Sequence, residues 1–194
     1  EVNAVAPSLD LADFGAIAEL PVAGLGSAPR VQVLVKRKSV EVDAAITMRD
    51  MKFAYYSLGV VQSPVRYVGD TLSFPALAAQ KGQTQYFGDV AIKFGDELHV
   101  TGGAQLPDGR LEDVVELLAD LSSTMETLQG GALTGRLGAV VSVDCPVSKL
   151  EGTIAANVRD VRYLERHLGS GGIVARFFNG EGIAVEPTQL TGEL

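Results

Sequence analysis

One short phrase recurs along this chain and limits what it can fold into. Val65-Arg66-Tyr67-Val68-Gly69-Asp70-Thr71-Leu72-Ser73-Phe74 is one copy, and Ile92-Lys93-Phe94-Gly95-Asp96-Glu97-Leu98-His99-Val100 is a second. Ala175-Arg176-Phe177-Phe178-Asn179-Gly180-Glu181-Gly182-Ile183-Ala184-Val185 is a looser third. Each has a basic residue, an aromatic, a Gly-Asp or Asn-Gly pair, then apolar residues at alternate positions. Tyr86-Phe87-Gly88-Asp89-Val90 reads as a further, shorter copy. Gly-Asp and Asn-Gly tolerate the positive φ of tight hairpin turns, and flanks with a period of two are strands. The repeated unit is therefore a hairpin. It predicts a long antiparallel sheet built by accretion, with function carried by a surface rather than by a few residues.

Residues 7–20 read as a short opening helix, with Ser8 as N-cap, apolar residues at Leu11, Phe14 and Ala18, and Pro21 as the stop. The Gly-, Ala- and Pro-rich stretch from Val22 to Arg30 reads as a connection, and Val31 to Val35 as a strand. Val40, Val42, Ala44, Ile46 and Met48 then alternate with Glu41, Asp43, Ala45, Thr47 and Arg49, the cleanest amphipathic strand in the chain. At Asp50 the phase slips, and Met51, Phe53 and Tyr55 continue the apolar face. One extra residue in a strand marks a β-bulge. Strands follow near 60–68, 71–79, 84–94 and 97–105, the third with a candidate break at Gly88-Asp89, and Pro107-Asp108-Gly109 reads as a turn. Leu111, Val114, Val115, Leu117, Leu118 and Leu121 have helical spacing, which predicts an amphipathic helix over 110–127 ended by Gln129-Gly130-Gly131. Strands resume at 133–144, 149–158, 173–178 and 183–189, and 159–168 reads as a helical turn or an irregular strand. The whole is one β-rich segment over 1–194, with a first β region at 31–105 and a second at 133–190.

The strand faces are unequal. One is Val, Ile, Leu, Phe and Ala, and the other carries Glu, Asp, Lys, Arg, Thr and Gln. At ~4.8 Å per strand, about ten strands make a sheet roughly 48 Å long. A helix of ~17 residues spans only about 25 Å. The uncovered apolar face must curl on itself, pack on a second sheet, or hold something else. Hydrophobic residues make up 46% of the chain and mean hydropathy is +0.19, yet no apolar run approaches the ~20 residues of a membrane-spanning helix. Such a surplus either fills a two-layer core or leaves an apolar face open for binding.

Charge and composition exclude several classes. The net charge is −8, and Lys36-Arg37-Lys38 is the only basic cluster, so the basic stripe of a nucleic-acid interface is missing. There is no Trp and aromatics are 6%, against the aromatic girdles of an outer-membrane barrel. The single cysteine, Cys145, has no internal disulfide partner and leaves the compartment open. The first residue is Glu1 rather than Met, so the sequence reads as a processed product or a piece of a longer chain.

Catalytic patterns are absent. His99 and His167 are the only histidines, too few for a metal site at ligand spacing. Gly169-Ser170-Gly171-Gly172 does not fit a nucleophile elbow, and Gly24-Leu25-Gly26 is too short for a dinucleotide fingerprint. Glu112, Asp113, Glu116 and Asp120 lie largely opposite the helix leucines, where a solvated face accounts for them. Asp70 and Asp96 sit in Gly-Asp pairs as turn formers. No cofactor and no enzymatic activity are expected.

Several stretches carry a likeness. They are Leu9 to Phe14 with Leu20-Pro21-Val22-Ala23-Gly24-Leu25-Gly26; Val42 to Met51, then Tyr55-Tyr56-Ser57-Leu58-Gly59; and Ser148 to Ile154, followed by Asn179 to Pro187. In these the chain resembles the AsmA-like / TamB family of bacterial envelope proteins. The resemblance implies a taco-like curved sheet with an apolar concave face, held in the periplasm as part of a protein anchored in the inner membrane. It also implies transport of phospholipid between the two membranes or help in outer-membrane protein assembly, and an insertase-type outer-membrane barrel as partner. The helix at 110–127 departs from the repeat.

The physics of such a groove is simple. Each buried CH₂ gains ~0.8 kcal/mol, so an acyl chain of ~16 carbons gains on the order of 13 kcal/mol before entropy costs. The candidate lining is Val40, Val42, Ile46, Met48, Phe53, Val65, Tyr67, Ile92, Phe94, Val141, Val143, Ile154 and Val158. An ordinary sandwich core would use the same positions. Two rival readings remain. An open sheet edge can accept a client's β-strand. Alternatively, a β-sandwich hydrolase would need a carboxylate pair such as Asp113 and Glu116.

Overall fold

A computed structural model of the chain describes residues 1–18, 20–37, 39–54, 56–117, 133–178, 182–186 and 191. The strands are β1 (Val2–Asp10), β2 (Val22–Lys36), β3 (Ser39–Phe53), β4 (Tyr56–Val68), β5 (Thr71–Lys81), β6 (Thr84–Lys93), β7 (His99–Arg110), β8 (Leu133–Pro146), β9 (Glu151–Tyr163), β10 (Arg166–Phe178) and β11 (Gly182–Val185). Helix α1 (Leu11–Ala18) joins β1 to β2, and α2 (Leu111–Leu117) follows β7. All eleven strands lie in one antiparallel sheet in sequence order, and the sheet does not close into a barrel. This is the expected class: mainly β, a long curved sheet with two short helices.

Two turns show why the meander forms. Val68 pairs with Thr71 across Gly69-Asp70, and Gly69 takes φ 65°, which it adopts without steric cost. The second Gly-Asp pair, Gly95-Asp96, lies in the loop between β6 and β7. Asn179-Gly180 falls outside the described residues. Gly88-Asp89 is a correction, because β6 runs unbroken through it. Gly88 sits face to face with Ala104, and a Cβ there would collide with the backbone carbonyl of Gly103. It is a close-approach glycine, not a turn.

Other expectations shift as well. The opening helix is shorter than 7–20, since strand β1 occupies residues up to Asp10, whose carboxylate accepts from the Ala12 N–H. The side chains of Phe14 and Ala18 lie outside the described residues. The 22–30 connection is the first half of β2, paired on both sides with β1 and β3. Pro107-Asp108-Gly109 is a bulge within β7, where pairing to β8 skips from Leu106 to Gly109. The 159–168 stretch is the end of β9, a tight turn and the start of β10. The second helix is described to Leu117, and residues 118–132, with Gln129-Gly130-Gly131, lie outside the described set.

The phase slip at Asp50 is a bulge. Asp50 has φ 50°, and pairing to β4 jumps from Met48↔Val61 to Met51↔Gly59. This returns Met51 and Phe53 to the face of Met48, while Tyr55 lies outside the described residues. Ala76 (φ 57°) and Asp160 (φ 50°) repeat the device in β5 and β9. Bulges add twist and bend strands, and this sheet curls on itself. The Tyr56 ring meets Phe177 edge-on at a centroid distance of 5.8 Å, which joins β4 to β10 across the concave face. Phe53 and Tyr56 pack there against the cluster of Ile92, Val100, Cys145 and Phe177.

Helix α2 closes one end. Asp113 accepts from the Gln83 N–H (2.9 Å) and the Thr84 hydroxyl (2.7 Å), and Thr84 Oγ1 accepts from the Arg110 N–H (2.8 Å). The Lys81 ammonium pairs with Glu116 at 2.9 Å. These contacts hold the helix on the β5–β6 hairpin. Leu117 packs on the cluster around Met48 and Val61, and Leu111 and Val114 pack on the one around Leu137 and Val158. The helix thus bridges the two halves of the curled sheet.

Candidate functional site: the apolar face

Strand pairing defines the face residue by residue. Val2 pairs with Val33, then Val42, Tyr67, Leu72, Ile92, Val100 and Cys145 follow in turn across eight strands. A second row runs Ala104, Val141, Ile154, Ala175 and Val185. The period of two puts Val40, Ile46, Met48, Val65, Val143 and Val158 on the same face, and the Asp50 bulge returns Phe53 to it. Phe94 joins by stacking edge-on against Tyr67 at 6.1 Å. All the expected lining residues therefore share one surface.

They do not share one environment. Ile46, Met48, Ile92 and Val158 are buried by the protein's own packing, and Met48 has no exposure at all. Val42, Phe53, Val65, Tyr67, Phe94, Val141, Val143 and Ile154 are half-buried. Val40 is 43% exposed, beside Val35 at 65% and Val2 at 57%. Val35 pairs directly with Val40. The centre of the concave face is filled, and its open mouth lies at β1–β3. Val2 and Val35 were missed as lining, Val2 because β1 carries no clear alternation. The convex face also departs from expectation. Val5, Leu25, Phe87, Val140 and Val174 are exposed there among the charged residues.

One polar atom faces the apolar packing without a partner. The Tyr56 hydroxyl is buried and has no hydrogen-bond partner among the described residues. Burial, aided by the nearby Cys145 thiol, pushes it up to about 12, so it stays a protonated donor. Tyr86, by contrast, donates to the Leu58 carbonyl. Burial likewise raises the Cys145 thiol, which exchanges hydrogen bonds with the Glu151 backbone and is chemically quiet.

Charge gathers at the helix end. Arg110, Arg136 and Arg159 stand opposite one another on β7, β8 and β9, an unfavourable row of like charges. Asp108 relieves it by accepting from Arg136 and from Arg159 (3.0 Å). The Arg136 hydrogen bond holds the Asp108 carboxyl below its ordinary value. Burial pushes Glu112 up, but its hydrogen bond from Arg110 (2.8 Å) helps bring the balance down. With Asp113 and Glu116 tied as described, each of these helix carboxylates has a structural task, while Asp120 lies outside the described residues. His99 meets Asp144 at 2.7 Å on the exposed convex side. Among the described residues no group of three or more His, Cys, Asp or Glu is placed to hold a metal ion. No described helix is long and apolar enough to cross a membrane. Comparisons with family models, curated proteins and solved structures return no match.

Proposed function

We propose that this chain is a non-enzymatic segment whose curled apolar face shields acyl chains of phospholipid or fatty acid from water. The observation that carries the reading is the apolar row from Val2 to Cys145, which opens to solvent at Val2, Val35 and Val40. An acyl chain needs only a continuous apolar strip, gaining ~0.8 kcal/mol per CH₂ buried. It enters at the β1–β3 mouth and slides inward by displacing half-buried residues such as Val42 and Tyr67. The Tyr56 hydroxyl, unpartnered among the described residues, offers a donor to a carboxyl or ester oxygen that reaches it. The likeness to the AsmA-like / TamB family supports this reading. It also extends it to a place in the periplasm and to an outer-membrane insertase-type barrel as partner of the longer protein.

The test is uptake of a dansyl-labelled fatty acid. Ile46 and Ile92 are core residues, where a charge would unfold the sheet, so the informative variants are Val35→Asp and Val40→Asp at the exposed mouth. Each should lower uptake about tenfold while the thermal transition stays cooperative. Wild-type uptake in both variants would count against the groove.

The β1 edge favours a second reading. Val2-Asn3-Ala4-Val5-Ala6 is exposed along nearly its whole length and carries none of the lysines that usually guard an edge. Such an edge can take a client strand by augmentation. Proline at Asn3 or Val5 would then weaken client binding more than Val40→Asp does, and the reverse ranking would sink the idea.

A further inference from the structure

The tip of the β9–β10 hairpin combines three features that folding alone does not require. Tyr163 pairs with Arg166, so Leu164 and Glu165 form a two-residue turn, with φ of 47° and 65°. A turn with two positive φ values favours Asn-Gly. Leucine there carries backbone strain, and an inference can run from such an outlier to a role. Leu164 is also 65% exposed, with exposed Leu168 and Tyr163 beside it. Finally, residues 159–168 hold three arginines and a histidine against Asp160 and Glu165, in a chain of net charge −8. Asp108 takes up Arg159, and His167 Nε2 lies 3.7 Å from the Asp160 carboxylate. Among the described residues Arg162 and Arg166 have no carboxylate partner, and both are exposed.

We propose that this tip is a membrane-contact site that places Leu164 among the headgroups of a bilayer containing anionic phospholipid, with Arg162 and Arg166 on lipid phosphates. Exposed Leu164, with three arginines against the two carboxylates Asp160 and Glu165 around it, makes an apolar point on a net basic tip, which matches that interface. The leucine leaves water, the tyrosine spans the boundary between apolar and wet regions, and each arginine near an anionic surface gains electrostatic attraction. Tyr163 pairs with Leu133, which packs on the cluster of Leu137, Val158 and Val161, so the tip extends the concave face outward. The site stands apart from the groove reading, because it needs only the tip and a lipid surface.

The chain has no Trp, so Leu164→Trp makes a single reporter at the tip. With vesicles of phosphatidylcholine containing phosphatidylglycerol, its emission should shift to the blue and the wild-type chain should sediment with the vesicles. Phosphatidylcholine alone should bind several-fold less. Arg162→Gln and Arg166→Gln should each weaken binding about fivefold. Leu164→Asn, which suits the turn, should weaken it about tenfold while the protein melts no lower than wild type. That variant should still take up dansyl fatty acid at the wild-type level, so failure of the tip and failure of the groove are read separately. An unshifted emission, wild-type chain left in the supernatant, or Leu164→Asn sedimenting like wild type would each overturn the proposal.

Discussion

Single residues carry costs that can be measured. A buried hydroxyl without a partner loses its hydration and regains nothing. Tyr56→Phe should therefore raise unfolding stability by about 1 kcal/mol, read by urea denaturation, and should lower retention of a bound fatty acid several-fold if the hydroxyl meets the ligand. A fall in stability would show that Tyr56 already has a partner. Asp108 gives a pH signature. Its folded-state carboxyl lies below the ordinary value because Arg136 donates to it. A depressed carboxylate stabilises the fold above its unfolded-state value, and that contribution is lost as pH falls through the folded-state value. Thermal melts taken from neutral pH to about pH 3 should show an acid slope that Asp108→Asn flattens. The variant should also melt lower at neutral pH, where Arg136 and Arg159 face each other without their shared carboxylate. Parallel slopes in the two proteins would refute this.

At the scale of elements, the bulges decide which face each strand end presents. Deleting Arg49 together with Asp50 leaves Met51 directly after Met48, and should turn Met51 and Phe53 to the convex side. Since both pack in the interior, the loss should exceed about 4 kcal/mol, seen in circular dichroism as loss of the cooperative melt. A deletion variant that melts near wild type would mean the register is set elsewhere. This bulge was legible because the apolar period slips at one residue. The Gly69-Asp70 turn was legible because glycine and a following turn former sit between two alternating flanks. Gly88-Asp89 carries the same letters for a different reason, the close approach of β7, and only the paired strand distinguishes the two. The first half of β2 hid for a related reason. Its small residues leave room for other side chains, and Met48 lies over Gly26, where a Cβ would sit 2.6 Å from its sulfur. With Val22 as its single β-branched residue, such a stretch looks like a loop until its neighbours are placed.

At the scale of the whole molecule, eleven strands in sequence order make a surface rather than a pocket. The sequence pattern identified the residues of that surface, because alternation fixes the face of each strand. It did not show how far the sheet curls, since that depends on the bulges together and on ring contacts such as Tyr56 with Phe177. The curl divides the face into a filled centre and an open mouth, and so Val35 and Val40, not Ile46 and Ile92, are the positions where charge separates binding from folding. The most direct measurement is native mass spectrometry, with lipid extraction, on the chain purified from a bacterial envelope. Bound phospholipid or fatty acid in the wild-type chain, depleted in Val40→Asp, is the predicted result. A clean unliganded mass for the wild type, with no uptake of added dansyl fatty acid, would contradict the lipid-shielding role of the apolar face.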